Sequence, residues 1–92
     1  MIKSFKHKGL SLFFESGKTS GIHYGHARRL LMQLAALNSA ENIGDMDISG
    51  YHLHKLKGKQ KNSWSIRVSK NWRLTFEFID SDVYILNYED YH

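Results

Sequence analysis

The spacing of apolar residues along this 92-residue chain changes once, near Tyr51, and that change constrains the fold more than any other feature. Upstream, the spacing is helical. Leu10, Phe13 and Phe14 form one stripe in residues 8–16, and Ala27, Leu30, Leu31, Leu34 and Leu37 form another in residues 26–38. Apolar side chains at i, i+3 and i+4 share one face of a helix. Downstream, apolar and polar residues alternate. Trp64, Ile66 and Val68 interleave with Ser65 and Arg67; Trp72, Leu74, Phe76 and Phe78 interleave with Arg73, Thr75 and Glu77. A period of two gives a strand one apolar face. The connections Ser69-Lys70-Asn71 and Asp80-Ser81-Asp82 are short, which predicts an antiparallel meander. Such a sheet needs a cover on its apolar face. The expected fold is therefore α+β, with two N-terminal helices on one face of an antiparallel sheet and the other face open to solvent.

The remaining segments fill in this plan. Residues 1–5 read as a short edge strand, and Gly17 as the residue that ends the first helix. Residues 40–50 read as a connection pinned by Ile43 and Met46. A short irregular strand at residues 53–56 is followed by a charged turn around Gly58, and residues 83–87 form the last strand. The length suits one domain over residues 1–92. With 41% hydrophobic residues, 13% of the chain aromatic, disorder is not expected. The absence of cysteine excludes disulfides, thiolate metal sites and a cysteine nucleophile. The longest uncharged, mostly apolar run, residues 30–37, falls well short of the roughly 20 residues that span a bilayer. With no signal-peptide pattern at the start, the expectation is a soluble cytoplasmic protein.

Charge is unevenly distributed. Lys55, Lys57, Lys59, Lys61, Arg67, Lys70 and Arg73 occupy residues 52–73 without one acidic residue. Beyond them come Glu77, Asp80, Asp82, Glu89 and Asp90 without one Lys or Arg. A one-signed block of this kind suits a polyanion; a solvated basic hairpin is the plainer alternative. Arg67 and Arg73 fall on the open sheet face by alternation, a reasonable seat for RNA.

The polar groups that this topology can gather are His54, Lys57, Arg73, Asp90, Tyr91 and His92. RNA cleavage without a metal needs a base for the 2′-hydroxyl, an acid for the 5′-oxygen and cations for the phosphorane-like charge. Two imidazoles can share the proton transfers. Arg73 and Lys57 can neutralise the non-bridging oxygens. Asp90 can orient an imidazole or a sugar hydroxyl, and Tyr91 can stack on a base. His52 and His54 have no nearby carboxylate or thiolate at metal-ligand spacing, so no metal is expected. The dispersed glycines form no phosphate loop, and no cofactor is expected. His7, His23 and His26 receive no role.

Several of these stretches carry a family resemblance: Met1-Ile2-Lys3-Ser4-Phe5, Leu53-His54-Lys55-Leu56-Lys57-Gly58, Trp64-Ser65-Ile66, Asn71-Trp72-Arg73 and Asn87-Tyr88-Glu89-Asp90-Tyr91-His92. Together they resemble the HigB toxins of bacterial type II toxin–antitoxin systems, in the RelE/ParE superfamily. The resemblance implies a microbial-RNase-like fold and a metal-independent, ribosome-dependent endonuclease that cuts message in the A site. It implies a catalytic set of His54, Asp90, Tyr91 and His92, with Lys57 and Arg73 on the phosphate. Lys55, Lys59, Lys61 and Arg67 then supply further RNA contacts. The implied partners are a HigA-type helix-turn-helix antitoxin, the ribosome and its message. Superfamily members of the same fold poison DNA gyrase instead, and a non-catalytic nucleic-acid-binding module is a third reading. The His54/His92 pair favours the nuclease.

Overall fold

The computed structural model describes residues 1–58 and 62–90. Two helices, α1 (Lys8–Ser16) and α2 (Ala27–Ser39), precede four strands: β1 (His54–Lys55), β2 (Ser63–Arg67), β3 (Trp72–Ile79) and β4 (Asp82–Asp90). The strands form one antiparallel sheet in sequence order. The expected α+β arrangement is thus the one found. Short 3-10 turns at Tyr24–His26 and Ile43–Met46 flank α2.

Local chemistry sets the helix ends. The Nδ1 atom of His7 accepts a hydrogen bond from the Leu10 amide at 3.0 Å, capping a donor that α1 cannot satisfy itself. At the other end Gly17 takes φ 78° and its amide reaches Phe13 O, a left-handed cap that glycine adopts without steric cost. Gly9 is needed for another reason. A Cβ there would stand 2.5 Å from the carbonyl oxygen of Gly21, so the loop before α2 lies directly against α1.

Leu10, Leu30, Leu34, Leu37, Met46, Ile66, Leu74, Val83 and Leu86 are all completely or almost completely buried between helices and sheet. Each such side chain contributes about 1.5–3 kcal/mol relative to exposure. The face of α2 differs from the expectation in two places. Leu31 is 61% exposed, whereas Gln33 is fully buried. Gln33 turns inward because its Nε2 donates to Arg67 O at 2.8 Å. Arg29, one turn earlier, donates to the same carbonyl and to Gly50 O at 3.2 and 2.7 Å. These bonds clamp α2 to the end of β2, a polar contact that an apolar stripe does not reveal.

The opening residues also differ from an independent strand. Ile2 and Phe5 make isolated parallel bridges to Val83 and Leu86, with Lys3 N–H donating to Val83 O at 2.7 Å and Lys6 N–H to Leu86 O at 2.8 Å. The segment shields the outer edge of β4, which would otherwise offer unpaired backbone groups. The β3–β4 hairpin turns on Asp80 and Ser81, both at positive φ (50° and 68°), the geometry that matches the strand twist. Further along, Thr75 pairs with Asn87 and Glu77 with Tyr84. One residue of β3, Phe76, therefore faces two of β4, Ile85 and Leu86. The bulge leaves Ile85 at φ 47°, an uncommon conformation for a β-branched side chain, with its amide held by Ser4 Oγ at 2.8 Å.

Candidate active site

The helix-free face of the sheet holds a cleft of about 820 Å³. Strand register builds it. His54 pairs with Ser65, Ser65 with Thr75 and Thr75 with Asn87, forming one row across all four strands. Arg67, Arg73 and Glu89 form a second row beside it. Strand and residue spacings put the α-carbons of His54 and Arg73 on the order of 12 Å apart, which two long side chains and a phosphate can bridge.

His54, Lys57 and Arg73 all line the cleft. His54 and Lys57 are exposed and Arg73 is half-buried. Leu56, Phe76 and Ile85 give it an apolar portion, and His52 stands at its margin at φ 49°. Two of the non-glycine residues with positive φ thus border this cavity; such conformations cluster where surrounding structure enforces them for a purpose.

Other expected residues lie elsewhere. Lys55 pairs with Trp64 and its ammonium sits 5.6 Å from that ring's centroid. Successive strand residues point to opposite faces, so Lys55 leaves the cleft where His54 enters it. Arg67 shares the open face by register, but its Nε donates to Ser69 O at 3.3 Å and it does not line the cavity. Asp90 pairs with Trp72 and is exposed; it carries the parity of Tyr88 rather than of Glu89 and does not line the cleft. Tyr91, His92, Lys59 and Lys61 lie outside the described residues.

Glu89 and Lys6 line the cleft too, and sequence reasoning gave neither a role. Thr75 Oγ1 donates to Glu89 Oε2 at 2.5 Å, and Glu89 stands directly across from Arg73. The hydroxyl bond limits the conformations open to the Glu89 carboxylate. Alternation carried from Asn87 to Glu89 was the available signal. Among the described residues no group of three or more His, Cys, Asp or Glu side chains is placed to hold a metal ion, and no helix is long and apolar enough to cross a membrane.

A second set of histidines lies on the helix side of the sheet. His26 Nδ1 is 2.6 Å from the Tyr88 hydroxyl, and its Nε2 is 2.9 Å from Ser69 Oγ. The His23 amide donates to the same hydroxyl at 3.3 Å. Trp72 stacks against Tyr88 with ring centroids 4.6 Å apart, and His7 meets Tyr88 edge-on at 5.3 Å. Burial lowers the His26 imidazole below its ordinary value, and the neighbouring charge of His23 lowers it further.

Comparison with known proteins agrees with this architecture. Residues 3–92 match the family described as RelE-like toxins of type II toxin–antitoxin systems, HigB. The chain is 54% identical over 92 residues, the whole of both chains, to the Endoribonuclease HigB of Proteus vulgaris. It is 34% identical over 94 residues to Toxin HigB-1 of Vibrio cholerae, covering all of this chain and 98% of that one. A positively charged chain, a helix-covered antiparallel sheet, a cleft lined by His54, Lys57 and Arg73, and likeness along the full length lead to one assignment: this chain belongs to the HigB family of RelE-like toxins, which act opposite an antitoxin in type II systems.

Proposed function

We propose that this toxin is an endoribonuclease that cuts message in the ribosomal A site, with His54 as one of two imidazoles that move protons and with Lys57 and Arg73 on the scissile phosphate. The observation that carries the reading is the convergence of His54 and Lys57, from the segment around β1, with Arg73, from β3, on one open cleft. The likeness to the Endoribonuclease HigB of Proteus vulgaris supports it. So does the place of Arg73 on the cleft, where a guanidinium can meet a phosphodiester through bidentate hydrogen bonds.

The chemistry balances without a further reactant. One imidazole takes the proton of the 2′-hydroxyl as its oxygen attacks phosphorus. The bond from phosphorus to the 5′-oxygen breaks, and a protonated imidazole delivers a proton to that leaving oxygen. The products are a 2′,3′-cyclic phosphate and a 5′-hydroxyl. Arg73 and Lys57 stabilise charge on the non-bridging oxygens in passage. His92 is the second imidazole in this reading, with Tyr91 against a base and Asp90 orienting a neighbour; these roles rest on the family resemblance. Glu89, across from Arg73 in the register, is placed to orient it. Lys59, Lys61 and Arg67 add salt-dependent contacts to the surrounding RNA. The antitoxin is of the HigA helix-turn-helix type, and the site of action is the bacterial cytoplasm.

Translating ribosomes programmed with a defined message, incubated with wild type, His54→Ala and His92→Ala, test the reading. Primer extension should map cuts within codons for the wild type and a loss of about 10²–10⁴-fold in rate for each variant. Unaltered cleavage by both variants, or an inert wild type that instead inhibits DNA gyrase, overturns it.

A further inference from the structure

We propose that His26 is a positioning residue for RNA cleavage: by joining Ser69 to Tyr88 it fixes the start of β3 and the end of β4, the two strand ends that present Arg73 and Asp90. The inference rests on the catalytic reading above, because it needs that end of the sheet to be the working end.

Proton bookkeeping on the Tyr88 hydroxyl carries the argument. Tyr88 is 4% exposed, so its donor and acceptor capacity must be met inside the protein. The oxygen already accepts from the His23 amide. Of the two neutral tautomers, the one that gives the proton of buried Tyr88 an acceptor, rather than that of half-buried Ser69, has Tyr88 donating to His26 Nδ1 at 2.6 Å. His26 then carries its proton on Nε2 and donates it to Ser69 Oγ at 2.9 Å. This tautomer is assigned from the network. A neutral imidazole agrees with burial lowering its proton affinity, and burial likewise raises the Tyr88 phenol, keeping it a donor.

The chain Ser69–His26–Tyr88 joins elements remote in sequence. Ser69 lies in the β2–β3 connection, where its carbonyl accepts from the Trp72 amide at 3.2 Å. Trp72 is flanked by His23 at 4.7 Å and Tyr88 at 4.6 Å between ring centroids. Trp72 precedes Arg73 and pairs with Asp90; Tyr88 precedes Asp90 by two residues on β4. Slack in this chain would be passed to both strand ends at once. Misplacement of about 1 Å can cost on the order of 10²-fold in rate with little change in binding.

The test measures kcat and KM for message cleavage on programmed ribosomes, beside amide hydrogen exchange of residues 88–90, for wild type, His26→Ala, His26→Asn, Tyr88→Phe and the double variant His26→Ala with Tyr88→Phe. Loss of the tether should lower kcat about 10- to 100-fold in His26→Ala and Tyr88→Phe, with KM within about twofold. The double variant should be no worse than the poorer single, as for two members of one unit. His26→Asn, whose amide oxygen can stand where Nδ1 stands, should recover most of the rate. Exchange at residues 88–90 should quicken in His26→Ala while the centre of β3 stays protected. Unchanged kcat in folded His26→Ala, additive losses in the double variant, or unchanged exchange overturns the proposal. A wild type that does not cleave overturns the catalytic reading instead, and the exchange result still decides whether the tether exists.

Discussion

His54 and His26 occupy opposite sides of the same sheet, and their surroundings differ. His54 is exposed on the two-residue strand β1, in a cleft that also holds Lys57 and Arg73. His26 is half-buried, with both ring nitrogens engaged by Ser69 and Tyr88 and with Trp72 and His23 against its ring. An imidazole that transfers protons must exchange partners, and an accessible cleft allows that. An imidazole that fixes geometry must not, and a closed network prevents it. In the proposed reading the same side chain serves chemistry on one side and architecture on the other, and the difference can be measured.

The largest expected effect lies in the cleft. His54→Ala should lower cleavage by about 10²–10⁴-fold, while its Tm stays within a degree or two because an exposed side chain contributes little packing. A large Tm loss would erase the contrast between the two sides. Tyr88→Phe, expected to lose less in rate, should instead lose stability in equilibrium unfolding, about 1–3 kcal/mol, by leaving buried polar partners unmatched. A cost near zero would mean that solvent satisfies His26 and that the network is loose.

Acidification should sharpen the contrast. Burial lowers the folded-state proton affinity of His26, with His23 adding to the effect; burial also lowers that of His7, opposed by a backbone hydrogen bond. The unfolded chain therefore binds protons more readily than the folded one. The stability these two neutral histidines carry is fully present above the ordinary value of 6.5 and is lost as pH falls from there toward their lowered folded values. Tm measured from pH 8 down to pH 5 should fall more steeply for wild type than for His26→Asn; parallel slopes would remove His26 from the linkage. The smallest effect belongs to Lys55. Since its ammonium rests on Trp64 rather than in the cleft, Lys55→Ala should cost about 0.5–1 kcal/mol of stability and change cleavage less than twofold, whereas Lys57→Ala should be clearly slower. Equal activity losses would show that Lys55 reaches RNA after all.

The secondary elements were legible where one local rule decides. Leu10, Phe13 and Gly17 define α1 residue for residue, and the alternation around Ile66 and Leu74 defines β2 and β3. Local rules failed where distant groups intervene. Gln33 is buried because a carbonyl at Arg67 awaits it, and residues 1–5 lose their own alternation because they follow the edge of β4. The bulge at Ile85 was hidden because Ile85 and Leu86 are both apolar, so either could have faced the core. Of the cleft, Arg73 came from alternation and His54 and Lys57 from the segment beside the open face, and Glu89 could have come from alternation too. The His26–Tyr88 network spans 62 positions, and no spacing rule reaches that far.

The pairing of the first residues with β4 orders events during synthesis. The N-terminal amine bonds the Ser81 carbonyl across 80 positions and lies 3.4 Å from the Asp82 carboxylate; the Leu86 amide donates to Ser4 O at 3.1 Å. Contacts of such separation form late and slowly. On a growing chain the opening segment and both helices emerge first, yet the segment has nothing to bind and the helices have no sheet to cover. Their apolar stripes must wait until β3 and β4 have left the tunnel. A chain whose proposed target is the translating ribosome therefore completes its fold only after the ribosome making it has translated β4.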